Sequence, residues 1–203
     1  MHLFFVRHGQ TEYNLKNIVQ GATCDSPLTQ TGIQQAKNAG EKLKDVSFHT
    51  AYVSPLGRAK ETLKWIEKEN KAGIPQIIPD DRLREIHFGK YDGQPIQRLQ
   101  DDEILSLYRN YPDHFDKTLT GGEDYYDLEN RGKDFIYEIT KKEPEEANIL
   151  IVSHAVFLTT LLKRLMHCPM PEIRKEGLLG NASISVLEWD PVHERCTLLA
   201  YNE

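Results

Sequence analysis

An arginine and a histidine stand side by side directly after an apolar run near the start of this chain. The run is HLFFV at 2–6, and Arg7, His8 and Gly9 follow it. If the run is a buried strand, both cationic side chains lie at its carboxyl end, where open parallel sheets bind their ligands. Gly9 would let the backbone turn closely at that point. The motif predicts a functional site, although a pair that only caps the strand is the alternative for this motif alone.

The same arrangement recurs at two later points. The run NILIVS at 148–153 is followed by His154, and TAYV at 50–53 is followed by a Ser-Pro pair and then by Arg58 at a helix start. Since parallel strands end at one edge of a sheet, two arginines and two histidines would meet there. The helix N-termini after these strands add backbone N–H groups and positive dipole ends. Such a set of cations and donors predicts a site for a dianion, above all a phosphoryl group.

Strands and helices alternate along most of the sequence and would position these residues. Further apolar runs occur at 75–79 and 183–189, and helical periodicity is found at 28–45, 57–70 and 155–167. Runs that are apolar on both faces are typical of strands covered on both sides. The alternation predicts an α/β fold, a three-layer sandwich with a mostly parallel sheet and helices on both faces.

Two stretches depart from this alternation. Near the C-terminus, two strand-like runs joined by DPVHER at 190–195 indicate a hairpin, so we expect an antiparallel strand at the sheet edge. The segment at about 80–124 is polar, aromatic-rich and turn-rich, and it is too long for a plain connection. We expect one domain over 1–203, in which this segment forms a cap or substrate wall.

The bulk composition argues against several classes of partner. Lys and Arg number 25 against 31 Asp and Glu, a formal net charge of -6, and there is no long basic block. Nucleic acid and anionic membranes are therefore not expected as partners. The first residues lack a charged leader region and carry only a short apolar run, so we expect a cytoplasmic protein. The three cysteines have no CxxC spacing, which predicts neither a disulfide framework nor a thiolate zinc site.

Five motifs, spread in order over nearly the whole chain, resemble the histidine phosphatase superfamily in its phosphoglycerate mutase-like branch. They are RHGQT at 7–11, DSPLTQTG at 25–32, SPLGRAKET at 54–62, LREIHFGKYDG at 83–93 and VSHA at 152–155. The resemblance implies a nucleophilic histidine at His8 and phosphate-clamping arginines at Arg7 and Arg58. It also implies that His154 contacts the phosphate and that Glu85 is the acid/base carboxylate.

The implied chemistry divides hydrolysis into two phosphoryl transfers. A neutral imidazole is a good nucleophile, so His8 would accept the phosphoryl group and then pass it to water. Charge on the equatorial oxygens requires fixed cations, which Arg7, Arg58 and a protonated His154 would supply without a metal or another cofactor. Glu85 would give the leaving alkoxide its proton.

Other positions extend the resemblance or depart from it. Three further residues match positions that line the phosphate pocket in relatives: Asn14, Gln20 and Gly21. The loop between Gly21 and Asp25 is one residue longer than the common form, so it could be reshaped. Ala155 stands where glycine commonly follows the second histidine, and Asp124 where serine is frequent. Asp124 would add negative charge near the substrate entrance.

The resemblance leaves more than one function open. The interval from Glu85 to His154 is short and the sequence stops soon after a strand-like run, whereas dedicated mutases carry a longer insertion and a tail over the site. We therefore expect a phosphomonoester hydrolase that acts on a small phosphorylated metabolite through a phosphohistidine intermediate. Phosphoglycerate mutase is the main alternative, and the physiological substrate and the choice between monomer and homodimer stay undetermined.

Two further classes are disfavoured. A catalytically silent phosphate-binding module would be attractive if His8, Arg58 or His154 were replaced, but all three are present. A metallohydrolase lacks support because the sequence has no HExxH or similar ligand spacing, and Arg7 beside His8 would repel a cation. No metal site is predicted.

Overall fold

A six-stranded sheet forms the centre of the protein in a computed structural model that describes residues 1–99 and 101–203. The strands are His2–Arg7 (β1), Thr50–Val53 (β2), Ile77–Pro79 (β3), Asn148–Ser153 (β4), Ile184–Asp190 (β5) and Arg195–Ala200 (β6). Their order across the sheet is β3-β2-β4-β1-β5-β6. The first four in this order are parallel, while β5 is antiparallel to β1 and β6 is antiparallel to β5. The predicted sheet with its antiparallel edge is confirmed.

Helices connect these strands. They are Glu12–Leu15 (α1), Gln30–Lys42 (α2), Gly57–Glu69 (α3), Glu103–Asn110 (α4), Tyr125–Lys142 (α5) and Ala155–Leu165 (α6). Short 3-10 turns lie at Asp81–Leu83, Gly89–Tyr91, Ile96–Leu99, Lys117–Leu119 and Met170–Glu172. The three helices predicted from periodicity correspond to α2, α3 and α6. The N-cap of α2 is Thr29, whose side chain accepts a hydrogen bond from the Gly32 N–H.

The sheet is covered on both faces, which confirms the three layers. Along β1, Leu3 and Phe5 belong to one buried cluster, which also contains side chains of α5 and α6. Val6 belongs to a second cluster with side chains of α2 and α3. Because successive side chains of a strand point to opposite faces, this alternation places one helix pair on each side.

The longest helix, α5, was not assigned from the sequence. Asp124 is its N-cap, and the two carboxylates of Asp124 and Asp127 each accept from the other residue's backbone N–H. In mid-helix, a Cβ at Gly132 would lie 2.9 Å from Leu161 Cδ1, so this glycine lets α5 and α6 pack closely. The buried face of α5 therefore packs against α6. Only the folded structure shows that these two helices are neighbours.

The segment 80–124 contains α4 and four of the 3-10 turns rather than a regular layer of its own. It connects β3 to α5, and Glu123 near its end accepts a hydrogen bond from the His87 N–H at 2.9 Å. Among the helices within the described residues, none is long and apolar enough to cross a membrane.

Candidate active site

The parallel pairing of β1 with β4 brings two of the predicted histidines together. Arg7 pairs in register with Ser153, and the His8 N–H donates to the Ser153 carbonyl at 2.9 Å. The residues that follow each strand therefore lie side by side, and the ring centroids of His8 and His154 are 5.2 Å apart. The meeting of strand ends predicted from the sequence occurs here.

The surroundings of His8 fix both its charge and its tautomer. Its Nδ1 lies 2.8 Å from the Gly9 carbonyl oxygen, which can only accept, so Nδ1 carries the hydrogen and Nε2 keeps its lone pair. The residue is only 4% exposed. Burial lowers its pKa well below the ordinary 6.5, and the charges of Arg58 and Arg7 lower it further. His8 is thus a neutral imidazole with an unprotonated Nε2.

The turn after β1 depends on Gly9. A Cβ there would lie 2.4 Å from the carbonyl oxygen of Gly32, in the first turn of α2, which leaves no room for any other residue. The Gly9 N–H donates to Thr62 Oγ1 of α3 at 3.0 Å. The close turn predicted for this glycine is confirmed, and it ties His8 to both helices on that face of the sheet.

Arg58 is almost completely buried, with 1% of its surface exposed, and it holds the loop that connects Gly21 to Asp25. Its Nη1 donates to the Cys24 carbonyl and to Asp25 Oδ1, both at 3.0 Å, and its Nη2 donates to the Gly21 carbonyl at 3.1 Å. Its Nε donates to His154 Nδ1 at 3.1 Å. The guanidinium therefore supports both this loop and the second histidine.

His154 is fully buried between two partners. Because Nδ1 accepts from Arg58, the ring hydrogen lies on Nε2, which donates to Ser54 Oγ at 2.6 Å. Burial lowers the pKa of His154 well below 6.5, and the nearby positive charge of Arg58 lowers it further. The expectation of a protonated His154 is therefore wrong: the imidazole is neutral, and both of its nitrogens are engaged.

Arg7 supplies a second positive charge near His8, and both residues line the cavity described below. One of its terminal nitrogens donates to the Leu179 carbonyl at 2.5 Å. Burial lowers its pKa to about 10, and the carboxylate of Glu85 opposes that shift, so the guanidinium stays charged at neutral pH. Its Nε is buried and has no hydrogen-bond partner among the described residues. A buried donor of this kind is costly unless a ligand satisfies it.

Glu85 is anchored at the N-terminus of α6. Its Oε1 accepts from the backbone N–H groups of Ile86 and Phe157, both at 2.9 Å, and its Oε2 accepts from Val156 at 3.0 Å. The carboxylate is 4% exposed and lies at the positive end of the helix dipole. Three backbone donors orient the group rigidly.

A cavity of about 190 Å³ opens over these groups. Five of the predicted residues line it: Arg7, His8, Asn14, Gln20 and Glu85. Apolar side chains form much of the remaining wall, among them Ile18, Val19, Phe88, Ile96, Leu105 and Leu178. The other three predicted residues, Gly21, Arg58 and His154, contribute no wall to the cavity and support it from behind. The predicted cluster therefore has an inner layer at the cavity and a second layer beneath it.

Several residues at the cavity were not predicted from the sequence. Asn181 donates to the His8 carbonyl at 3.2 Å and approaches Asn14 Oδ1 at 3.4 Å, so it links the β1 turn to α1. Tyr108, Arg109 and Arg174 line the cavity directly. Asn181 and Arg174 lie in irregular segments without a motif, so only the folded chain could reveal them. The other two lie within the predicted wall segment, but no pattern distinguished them from its other side chains.

The departures from the family pattern differ in their structural consequences. Ala155 is the first residue of α6 and lines the cavity, where it leaves room for a ligand. Asp124 caps α5 and is not part of the cavity wall, so its expected effect on the substrate entrance has no support here. Within the described part of the chain, no three His, Cys, Asp or Glu side chains are clustered closely enough to hold a metal ion.

Comparison with known proteins finds relatives over nearly the whole length of the chain. A family model described as the histidine phosphatase superfamily (branch 1) matches residues 3–203. The chain is 31% identical over 192 residues to a probable phosphoglycerate mutase GpmB of Proteus mirabilis, and the match covers 93% of this chain and 85% of that protein.

It is also 36% identical over 147 residues to a fructose-2,6-bisphosphatase TIGAR B of Danio rerio, a match that covers 71% of this chain and 55% of that protein. The chain thus spans about half the length of this fructose-2,6-bisphosphatase.

Solved structures agree over the full length of the chain. YhfR of Bacillus stearothermophilus superposes with a TM-score of 0.90 at 28% identity, covering 100% of this chain and 96% of that one. A putative alpha-ribazole-5'-P phosphatase of Escherichia coli superposes with a TM-score of 0.84 at 27% identity, with the same coverage.

Proposed function

Since the chain belongs to the histidine phosphatase superfamily, we propose that it hydrolyses small phosphomonoesters through a phosphohistidine intermediate. The observation that carries this proposal is the state of His8, a buried neutral imidazole whose Nε2 is unprotonated beside a charged Arg7. A nucleophile of this kind needs no prior deprotonation, and the adjacent cation attracts the phosphoryl group toward it.

The proposed reaction proceeds in two steps. His8 Nε2 forms a bond to phosphorus while the bond to the ester oxygen breaks, and Glu85 takes up the proton of the bound phosphomonoester monoanion and transfers it to that leaving oxygen. Glu85, again a carboxylate, then takes a proton from water as the water oxygen attacks phosphohistidine. Inorganic phosphate takes this proton from Glu85 and leaves, so His8 and Glu85 return to their starting states.

The arginines stabilise the charge on the phosphoryl oxygens in this proposal. Arg7 has a buried Nε without a described protein partner, so it can donate directly. Arg58 acts beside it, and a direct phosphate contact replaces at least one of its hydrogen bonds to the loop at 21–25. His154 contributes as a neutral hydrogen-bonding group rather than as a cation. Asn14 and Gln20 complete the wall of the phosphate pocket, and Gly21 supports it through the hydrogen bond from Arg58 to its carbonyl.

The segment 80–124 serves as the substrate wall within one domain over 1–203. Its contribution to the cavity consists of Glu85, Phe88, Ile96, Leu105, Tyr108 and Arg109. The cavity volume of about 190 Å³ lies below the range of pockets for drug-sized ligands, which favours a small metabolite. A cytoplasmic location and the lack of a nucleic-acid partner stay predictions.

Phosphoglycerate mutase is the alternative function, and it is favoured by the similarity to a probable phosphoglycerate mutase over 93% of this chain. The two activities share the phosphohistidine and differ in its acceptor, which is water in one case and a substrate hydroxyl in the other. Purified protein should be assayed against a panel of phosphomonoesters, with and without a chelator, for release of inorganic phosphate and for isomerisation of phosphoglycerate.

Phosphate release that resists the chelator is the expected result. Isomerisation without phosphate release would establish the mutase instead. Absence of both activities would favour a silent binding module, and loss of activity with the chelator would favour a metallohydrolase.

A further inference from the structure

We propose that the cavity selects phosphomonoesters that carry a second anionic group, a carboxylate or a second phosphoryl group, and that Arg174 binds this group. The inference rests on the proposed phosphatase activity and adds a substrate class to it. Arg174 follows the 3-10 turn at Met170–Glu172 and lines the same cavity as Arg7 and His8, so one small substrate can contact both ends.

The charge of Arg174 is not neutralised by a carboxylate. Within the described residues Arg174 makes no ion pair, although it lies close in sequence to two glutamates. Glu172 pairs with Lys175 at 3.1 Å, and Glu176 pairs with Lys163. Both acidic neighbours are therefore engaged elsewhere. A half-buried guanidinium without a counterion is costly, and an anionic ligand in the cavity would remove that cost.

Two tyrosines hold the guanidinium in place without satisfying it. Arg174 Nη1 donates to the hydroxyl oxygens of Tyr108 and Tyr125, both at 3.1 Å, and Tyr125 donates onward to the Tyr108 carbonyl at 2.8 Å. Arg174 Cζ also lies 5.0 Å from the centroid of the Tyr108 ring. Both hydrogens of Nη1 are thus used. Its Nε and Nη2 have no described partner, and this edge of a guanidinium can bind a carboxylate or a phosphoryl group through two hydrogen bonds.

The tyrosines cannot act as the missing anion. Burial raises the pKa of Tyr108 to about 12 and raises the pKa of Tyr125 well above 10, so both hydroxyls stay protonated at neutral pH. Glu85 lies in the same cavity, but its carboxylate accepts from three backbone N–H groups at α6. Among the residues that the structure describes, no anion that faces this cavity is available to Arg174.

A second cation strengthens the preference for a doubly anionic ligand. Arg109 lines the cavity from α4, is exposed to solvent, and makes no ion pair among the described residues. With Arg7 at the nucleophile, the described wall of the cavity thus carries three guanidinium groups against one carboxylate, that of Glu85. One phosphoryl group would bind Arg7. A substrate without a second anionic group would leave Arg109 and Arg174 without an anion to bind.

A series of three-carbon substrates tests the inference. Glycerol 3-phosphate, 3-phosphoglycerate and glycerol 1,3-bisphosphate share one skeleton and carry a hydroxyl, a carboxylate or a phosphate at the far carbon. We expect kcat/KM of the wild-type protein to be at least about 10-fold higher for one of the two anionic members than for glycerol 3-phosphate. Whichever of these two substrates has the higher kcat/KM shows whether the second anion is a carboxylate or a phosphoryl group.

Variants of Arg174 test whether this residue causes the preference for the doubly anionic substrate. In Arg174→Met, kcat/KM for the preferred substrate should fall at least about 10-fold further than kcat/KM for glycerol 3-phosphate. Arg174→Gln can still donate to the tyrosines, so it should show the same selective loss even if the methionine variant folds poorly. Lys175→Met, an exposed neighbour outside the cavity, should keep the wild-type ratio.

Equal losses for all three substrates would overturn the inference, because Arg174 would then only support Tyr108 and Tyr125. A wild-type protein that hydrolyses glycerol 3-phosphate as well as both anionic members would overturn it without any variant. Failure of the proposed function is distinguishable from either result, since the protein would then hydrolyse neither these substrates nor a simple aryl phosphate.

Discussion

At the scale of single residues, the site depends on where two hydrogens lie. The Nδ1 hydrogen of His8 is held by the Gly9 carbonyl, which leaves Nε2 free, and the Nε2 hydrogen of His154 is held by Ser54. The two imidazoles are therefore alike in charge but differ in use. Only His8 presents an unprotonated nitrogen without a described partner, so it alone is placed to attack phosphorus.

The first prediction tests that assignment by trapping. Brief incubation with a labelled phosphomonoester, followed by rapid denaturation, should leave a phosphoprotein that is labile in acid and stable in base. His8→Ala should leave no label, while His193→Ala, at an exposed turn, should label as the wild type does. Label that survives in His8→Ala would show that another residue is the nucleophile.

The second prediction separates proton donation by Glu85 from mere positioning. Glu85→Gln keeps the size of the side chain and removes the exchangeable proton, so hydrolysis of an alkyl phosphate should fall by about 100-fold or more. An aryl phosphate with a low-pKa phenol needs little help, so the burst of its phosphoryl transfer should be much less affected.

Burst measurements on both substrates isolate the transfer of the phosphoryl group to His8. They are needed because the later attack by water also uses Glu85 and would slow the steady-state rate for both substrates. Equal losses in the phosphorylation step for alkyl and aryl phosphates would mean that Glu85 only holds the loop or the phosphate. The general acid would then have to be another residue of the segment 80–124.

At the scale of elements, the turn at 21–25 and the helix α3 hold each other in place. The N-cap of α3, Leu56, offers no side-chain acceptor, and Asp25 Oδ2 instead accepts from the Gly57 N–H at 2.5 Å. The other oxygen of Asp25 accepts from Arg58 at 3.0 Å. One carboxylate from a distant loop thus caps the helix and orients its buried arginine.

The third prediction concerns this cap. Asp25→Ala should lower the free energy of unfolding by about 1–2 kcal/mol, because it removes both the cap and one charged partner of Arg58. Urea denaturation of the variant and the wild type measures the change. Asp45→Ala is the matched control, since Asp45 is exposed and pairs only with Lys71, and it should leave the midpoint nearly unchanged. An equal shift in both variants would contradict the capping role of Asp25.

At the scale of the whole molecule, two buried neutral histidines link stability to pH. The folded pKa values of His8 and His154 lie well below 6.5, whereas in the unfolded chain both return to ordinary values. Below about pH 6.5 the unfolded chain therefore binds more protons than the folded protein does. The stabilisation is complete above this pH and is lost as the pH falls toward the folded pKa values.

The fourth prediction follows from this linkage. The free energy of unfolding should decrease from pH 7 to pH 5, and the decrease should be smaller in His8→Asn and in His154→Asn. The exposed His193→Asn should retain the slope of the wild type. Urea titrations at closely spaced pH values measure these slopes, and a wild-type slope in both buried-histidine variants would contradict the prediction.

The sequence by itself determined the sheet and the inner residues of the site. Strand patterns and turn residues are local features, so the six strands and the helices α2, α3 and α6 were predicted close to their observed bounds. Because parallel strands end at one edge of a sheet, the positions of Arg7 and His8 at the cavity were also predicted. Glu85, which lines the same cavity, was predicted through the resemblance of its motif.

Only the tertiary structure decided the protonation of His154, the capping of α3 by Asp25 and the presence of Arg174 at the cavity. Each depends on burial or on contacts between residues far apart in the chain. Desolvation, which sets the charge of a buried histidine, is a property of the packed surroundings and has no counterpart in a local sequence pattern. Arg174 likewise stands in an irregular segment, where no periodicity marks which side chain will face a ligand.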